Sequence, residues 1–180
     1  ESNAQIVEPA QGVAKIGETW YQTLEDAIKA AGENDVIKLI EGEDTTYGTT
    51  YAKGKTLQFE GVEGKTIWKY GKDATASSEG ASDYSFEGSN VTFKNITLVD
   101  NLTVNSYYRG FIRPVGLNFE NCTIKNMMGY LGVGDVHFTD CVFDVASVCE
   151  YAVKCYSGKD FYFNGCTFKG NNKANIQLYI

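Results

Sequence analysis

The feature that most restricts this 180-residue chain is a short phrase that keeps returning. NVTFKNITL (Asn90–Leu98), GLNFENCTI (Gly116–Ile124), DVHFTDCVF (Asp135–Phe143) and DFYFNGCTF (Asp160–Phe168) align without gaps, and TLQFEGV (Thr56–Val62) is a weaker fifth copy. Each copy carries a Phe, at 59, 93, 119, 138 and 163. Two residues after it stands Gly61, Asn95, Asn121, Asp140 or Gly165. Gly, Asn and Asp are the types that tolerate left-handed backbone angles. One left-handed residue bends a strand sharply, so the next residue (Val62, Ile96, Cys122, Cys141 or Cys166) points inward again. Before the corner, Val91/Phe93, Leu117/Phe119, Val136/Phe138 and Phe161/Phe163 alternate as one face of a strand.

The copies recur at irregular intervals centred near the ~20–30 residues that one turn of a solenoid takes. A second strand is expected between them, with Phe86, Ile112, Leu131 and Val153 facing inward. Its outward row is expected to run Arg113, Gly132, Lys154, Gln177. Three strand faces and one variable loop per turn predict an all-β fold, a single-stranded parallel β-helix (solenoid) with an N-terminal capping α-helix, whose right hand is what its resemblance to known repeats implies. An antiparallel β-sandwich also shows regular short strands, but it has no reason to repeat the same corner in register.

The cap is read from VAKIGETWYQTLEDAIKAAGENDVIKLIEGE. VAKI and VIKLI alternate like strands. In TLEDAIKAAG, Thr23 is placed to cap a helix with Glu25 and Asp26 in its first turn, where the dipole favours negative charge. Leu24, Ala27, Ile28 and Ala31 share one face, and Gly32 is placed to end the helix. Residues 1–12 read as a leader or linker, 13–45 as the cap and 55–180 as coils, the whole β-helix domain covering 13–180. ANIQLYI reads as a strand of an unfinished coil. The expectation is therefore a fragment of a longer protein, or an end that continues into further coils or is covered by a partner.

These residues resemble a known family. FENCTI, FTDCVF and YAVKCYSGKDFYFNGCTFKGNNKANIQLYI are similar to the right-handed β-helix repeats of large surface and secreted proteins of gut bacteria. The segment around TLEDAIKAAG resembles their N-terminal cap, except that Asn34-Asp35 stands where Gly-Asp is usual. The resemblance implies a module of an adhesin-like protein, secreted or on the cell surface. The wider fold also includes polysaccharide lyases and hydrolases.

The chemistry narrows by exclusion. A formal charge of −7 argues against nucleic acid, which needs a basic surface. No apolar run is long enough to span a membrane as a helix. His137 is the single histidine, so a multi-histidine metal site is excluded, and no metal or cofactor is expected. Cys122, Cys141 and Cys166 hold equivalent inward positions, with Ile96 in the same slot one copy earlier. They read as a stacked row of buried filler, protected from reagents, with Cys149 the exposed thiol. Asn-x-Thr occurs at Asn90, Asn95, Asn101 and Asn121, but two of these are corner residues and the pattern reads as structural. The outward rows Thr92, Asn118, His137, Tyr162 and Lys94, Glu120, Thr139, Asn164 contain no stacked carboxylate pair of the kind a glycosidase uses.

A non-catalytic binding or adhesion module is therefore the leading expectation, recognising a host protein (a mucin, an immunoglobulin or another) or a glycan through the outer face. A β-helix polysaccharide lyase or glycoside hydrolase is the alternative. The candidate ligand-binding residues are the outward aromatics and cations. Phe111 and Tyr130 are expected in one outward row and Tyr156 and Tyr179 near another, with Arg113 and Lys154 close by. The loop residues Tyr107, Tyr108 and Arg109 and the strand residues His137 and Tyr162 complete the set.

Overall fold

A computed structural model describes residues 12–46, 54–74, 81–83, 86–102, 109–125, 128–131, 134–144, 151–157, 159–170 and 174–178. The chain opens with the hairpin β1 (Ala14–Ile16) and β2 (Thr19–Tyr21), then helix α1 (Leu24–Ala30), β3 (Asp35–Leu39) and β4 (Gly42–Thr46). Five strand groups follow. They are β5 (Thr56–Glu60), β6 (Thr66–Ala74) and β7 (Ala81–Asp83); β8 (Asn90–Lys94), β9 (Thr97–Leu102) and β10 (Arg109–Ile112); β11 (Gly116–Glu120), β12 (Thr123–Lys125) and β13 (Met128–Leu131); β14 (Asp135–Thr139), β15 (Val142–Asp144) and β16 (Tyr151–Ser157); and β17 (Phe161–Asn164), β18 (Thr167–Lys169) and β19 (Ala174–Leu178).

Each trio adds one strand to each of three sheets. The sheet orders are β17-β14-β11-β8-β5-β3-β1-β2, β19-β16-β13-β10-β7 and β18-β15-β12-β9-β6-β4. Every pairing is parallel except β1 with β2 and with β3. The fold is all-β with one helix. The register keeps like with like: Phe59, Phe93, Phe119, Phe138 and Phe163 sit level on successive strands.

That register builds the core. The rings stack nearly parallel, with centroids 5.5 Å apart for Phe59–Phe93, 5.2 Å for Phe93–Phe119, 4.9 Å for Phe119–Phe138 and 5.0 Å for Phe138–Phe163. The spacing follows the ~4.8 Å between neighbouring strands, so each ring rests on the one below. Phe143 and Phe168 form a second stack at 4.7 Å. Trp68, Phe86 and Phe111 close around Phe93 at 5.4, 5.8 and 5.3 Å. The indole Nε1 of Trp68 has no hydrogen-bond partner although it is buried. That costs about 1–3 kcal/mol, offset by the ring's packing on Phe59, Phe86 and Phe93.

The expected corners are present at Asn95, Asn121, Asp140 and Gly165, with φ of 57°, 50°, 53° and 66°. The Asn121 Nδ2 donates to Asn95 Oδ1 at 2.9 Å, so two Asn-x-Thr asparagines brace each other along the corner. Two expectations need correction. Gly61 is not left-handed, and Val62 is 38% exposed rather than inward. Here the chain loops out through Gly64 (φ 71°), and Thr66 takes the inward slot level with Ile96. Its hydroxyl donates to Ile40 O and accepts from Val62 N, both at 2.8 Å, so a polar residue is accommodated without an unmet bond. Gly61 is required for a different reason: a β-carbon there would lie 2.7 Å from Asn95 O.

The second correction concerns Phe111, expected outward. It is fully buried. The cause is a further corner at Arg113, whose φ is 55°. Phe111, Ile112, Arg113 and buried Pro114 repeat the Phe-x-corner-inward pattern of the other copies with unfamiliar residues. The corner is held by Gly88 N donating to Arg113 O at 2.8 Å.

At the cap, Thr23 Oγ1 accepts from Asp26 N at 3.0 Å, and Leu24, Ala27, Ile28 and Ala31 are buried. The helix does not end on a left-handed Gly32. Ala31 leaves the helix at φ −58°, ψ 132°, and Gly32 N donates to Asp35 Oδ2 at 2.7 Å. Lys55 Nζ reaches back to the carbonyls of Lys29 and Ala31, supplying a cation where the dipole is negative. The left-handed residue is Asn34, at φ 64°, the position where Gly is usual in the resembling caps.

Candidate functional site

The outer face of the eight-stranded sheet carries three parallel rows of side chains. The middle row runs Val36, Gln58, Thr92, Asn118, His137, Tyr162, one residue per strand. Six strands at ~4.8 Å make a row about 24 Å long. One flanking row runs Lys38, Glu60, Lys94, Glu120, Thr139, Asn164. The other runs Thr56, Asn90, Gly116, Asp135, and the register carries it on to Asp160. The alternation that buries Val136 and Phe138 necessarily turns Asp135, His137 and Thr139 outward.

His137 and Tyr162 form the aromatic part of this face. Their rings stack at 4.4 Å with an interplanar angle of 7°, and Tyr162 is 47% exposed. Parallel register fixes them one above the other, so the pair is a preset flat platform. Asn118 is level with His137 on the next strand, and its Nδ2 donates to Asn90 Oδ1 at 3.4 Å. That amide of Asn90 also fills the space over Gly116, where a β-carbon would meet Asn90 Oδ1 at 2.8 Å. Glu120 lies 3.9 Å from Lys94. Asp135 Oδ1 accepts the backbone N–H of Asp160 at 3.3 Å, and the register sets Asp160, just before β17, level with Asp135. The two aspartates belong to the third row, not to the rows of Thr92 and Lys94 read from the sequence. Both copies open on Asp, DVHF and DFYF, so the signal was in the alignment.

The other candidates separate. Phe111 belongs to the core. Arg113 is exposed, but at a corner rather than on a strand face, with its guanidinium 3.6 Å from Glu87. The row expected to join it to Lys154 is different: Lys154 is level with Gly129 and Gln177. Arg109, Tyr130, Lys154 and Tyr156 lie in β10, β13 and β16, where the backbone is described. Tyr130 shares the row of Phe111 and Cys155. Tyr107, Tyr108 and Tyr179 lie outside the described residues.

The cysteines form the expected row. Cys122 and Cys141 are buried and Cys166 half-buried, and all three are free thiols. Each Sγ donates to the carbonyl of the inward Phe on the preceding trio, at 3.4 Å: Cys122 to Phe93, Cys141 to Phe119 and Cys166 to Phe138. Contact with the Cys122 thiol, then burial, pushes the Cys141 thiol far above the ordinary range, and burial raises Cys166. Contact with the Cys141 thiol lowers Cys122 instead, but that side chain is buried. Thiols held protonated or shut off from solvent are poor nucleophiles and poor metal ligands. No cluster of three or more metal-ligating side chains occurs among the described residues. Alkylation followed by mass spectrometry should therefore modify Cys166 before Cys122 and Cys141. Equal rates for Cys141 and Cys166 would contradict the buried row. Cys149 lies outside the described residues.

No helix among the described residues is long and apolar enough to cross a membrane. Compared with protein-family models, curated proteins and solved structures, the chain finds no match in any of the three.

Proposed function

We propose that the chain is a right-handed parallel β-helix module of a secreted or surface-displayed bacterial protein, non-catalytic, that binds glycan on the outer face of its eight-stranded sheet. The observation that carries this reading is the His137–Tyr162 stack, its Tyr162 ring exposed and His137 half-buried, set in register beside Asn118, Thr139 and Asn164. A flat aromatic surface offers the apolar face of a sugar ring a dry contact, and adjacent amides and hydroxyls meet its hydroxyl groups. The three sheets, with their buried aromatic core, serve as a rigid support, so the platform needs no rearrangement to bind.

Tyr162→Ala should weaken glycan binding about tenfold or more, equivalent to ~1.4 kcal/mol. Tyr162→Phe, which keeps the ring, should bind within about threefold of the parent. Isothermal titration on a ligand found by glycan array reads the difference, with thermal unfolding to show that both variants fold. Undiminished binding by Tyr162→Ala removes the platform from the site. A second reading, a β-helix hydrolase or lyase, is favoured by the neighbouring Asp135 and Asp160, since paired carboxylates carry glycoside hydrolysis. Cleavage of a bound polysaccharide, lost in Asp135→Asn, would replace the adhesion reading with that one.

A further inference from the structure

The charges around the platform say which glycans it takes. Four carboxylates border or approach the His137–Tyr162 stack. Asp135 and Asp160 lie in one flanking row, Glu120 in the other, and Asp140 at the corner just past Thr139. The cations on this face are placed differently. Lys94 is two strands from His137 and lies 3.9 Å from Glu120. Lys38 stands farther along the same row, and Lys15 beyond it is engaged by Glu18 at 3.0 Å and by the Trp20 ring at 5.5 Å. Lys159, exposed and next to Asp160 in sequence, is the described cation nearest the platform in the chain. Across the chain the formal charge is −7, so the long-range field has the same sign as the local one.

Resting on the glycan-binding reading above, we infer that the site selects uncharged sugars and rejects sialylated and sulfated ones. A carboxylate or sulfate on the ligand, placed over His137 and Tyr162, would find acidic side chains on both flanking rows and, among the described residues of those rows, no arginine fork to pair with. The hydroxyl groups of a neutral sugar meet the same residues favourably: Asp135, Asp160 and Glu120 accept, while Asn118 and Asn164 both donate and accept. Like charges held a few ångströms apart near a surface are worth about a factor of ten in binding at low salt, and the effect fades as salt screens it.

The test compares matched ligands on the full chain. Neutral oligosaccharides are arrayed beside the same oligosaccharides carrying terminal sialic acid or a 6-sulfate, and the bound pairs are titrated at 20 mM and 500 mM salt. The neutral member should bind about tenfold tighter at low salt, with the gap narrowing at high salt. In Asp135→Asn/Asp160→Asn the gap should fall to about threefold or less. Equal or tighter binding of the acidic members overturns the inference and leaves the glycan reading standing. An unchanged gap in the double variant also overturns it, because the selection would then come from elsewhere. If no arrayed glycan binds, the glycan reading fails and this inference fails with it.

Discussion

Replacing Phe93 by alanine should lower the unfolding free energy by about 3–5 kcal/mol, the range for truncating a fully buried aromatic. Phe93 is 0% exposed and its ring meets five others: Phe59, Trp68, Phe86, Phe111 and Phe119. Removing it takes the second ring from a stack of five that runs from Phe59 to Phe163. The backbone around it is fixed by parallel pairing on both sides, β5 on one and β11 on the other, so the cavity cannot collapse easily. Urea unfolding followed by circular dichroism measures the loss. Phe168→Ala is the comparison: its ring is only partly buried and should cost clearly less. A Phe93→Ala loss below about 1 kcal/mol would mean that the stack does not bear the core's stability.

Gly134→Ala should be the most damaging small substitution, at about 3 kcal/mol. A β-carbon at Gly134 would sit 1.5 Å from Val115 O, a backbone atom that has no rotamer to escape into. Gly134 stands at the entrance to β14, so pushing it away from Val115 also disturbs the start of the strand that carries His137. Its own carbonyl accepts from Lys159 N at 3.2 Å, which ties the next trio to the same point. Gly32→Ala provides the control. The added β-carbon there is 3.5 Å from the nearest atom, an ordinary contact, and the effect should stay within about 0.5 kcal/mol. A tolerated Gly134→Ala would show that the Val115 and Gly134 backbones do not pack as closely as described.

The repeat was legible because its corners use residues whose chemistry announces the bend. Asn95, Asn121, Asp140 and Gly165 belong to the few types that accept a positive φ, and counting from them fixed which face each neighbour occupies. The corner at Arg113 was hidden for the same reason. Neither Arg nor the following Pro signals a left-handed angle, so spacing alone points Phe111 outward although the corner buries it. Gly61 misled in the opposite direction. It looks like a corner but is there because Asn95 and Ile96 approach too closely for any side chain. The platform was readable as an outward row, since alignment of the phrases gives the register. That the rings of His137 and Tyr162 lie flat on each other depends on side-chain torsions, which spacing does not determine.

The excursion between Phe59 and Thr66 has a consequence for how such a chain can change. Phe93 reaches its inward successor Ile96 in three steps, while Phe59 needs seven to reach Thr66, yet Thr66 and Ile96 end level. Phase is therefore set by the rings and corners, and length is free between them. Insertions at a bend can be gained or lost while the platform strands keep their alignment, so the edges of this outer face can diversify independently of the scaffold that holds His137 and Tyr162 together.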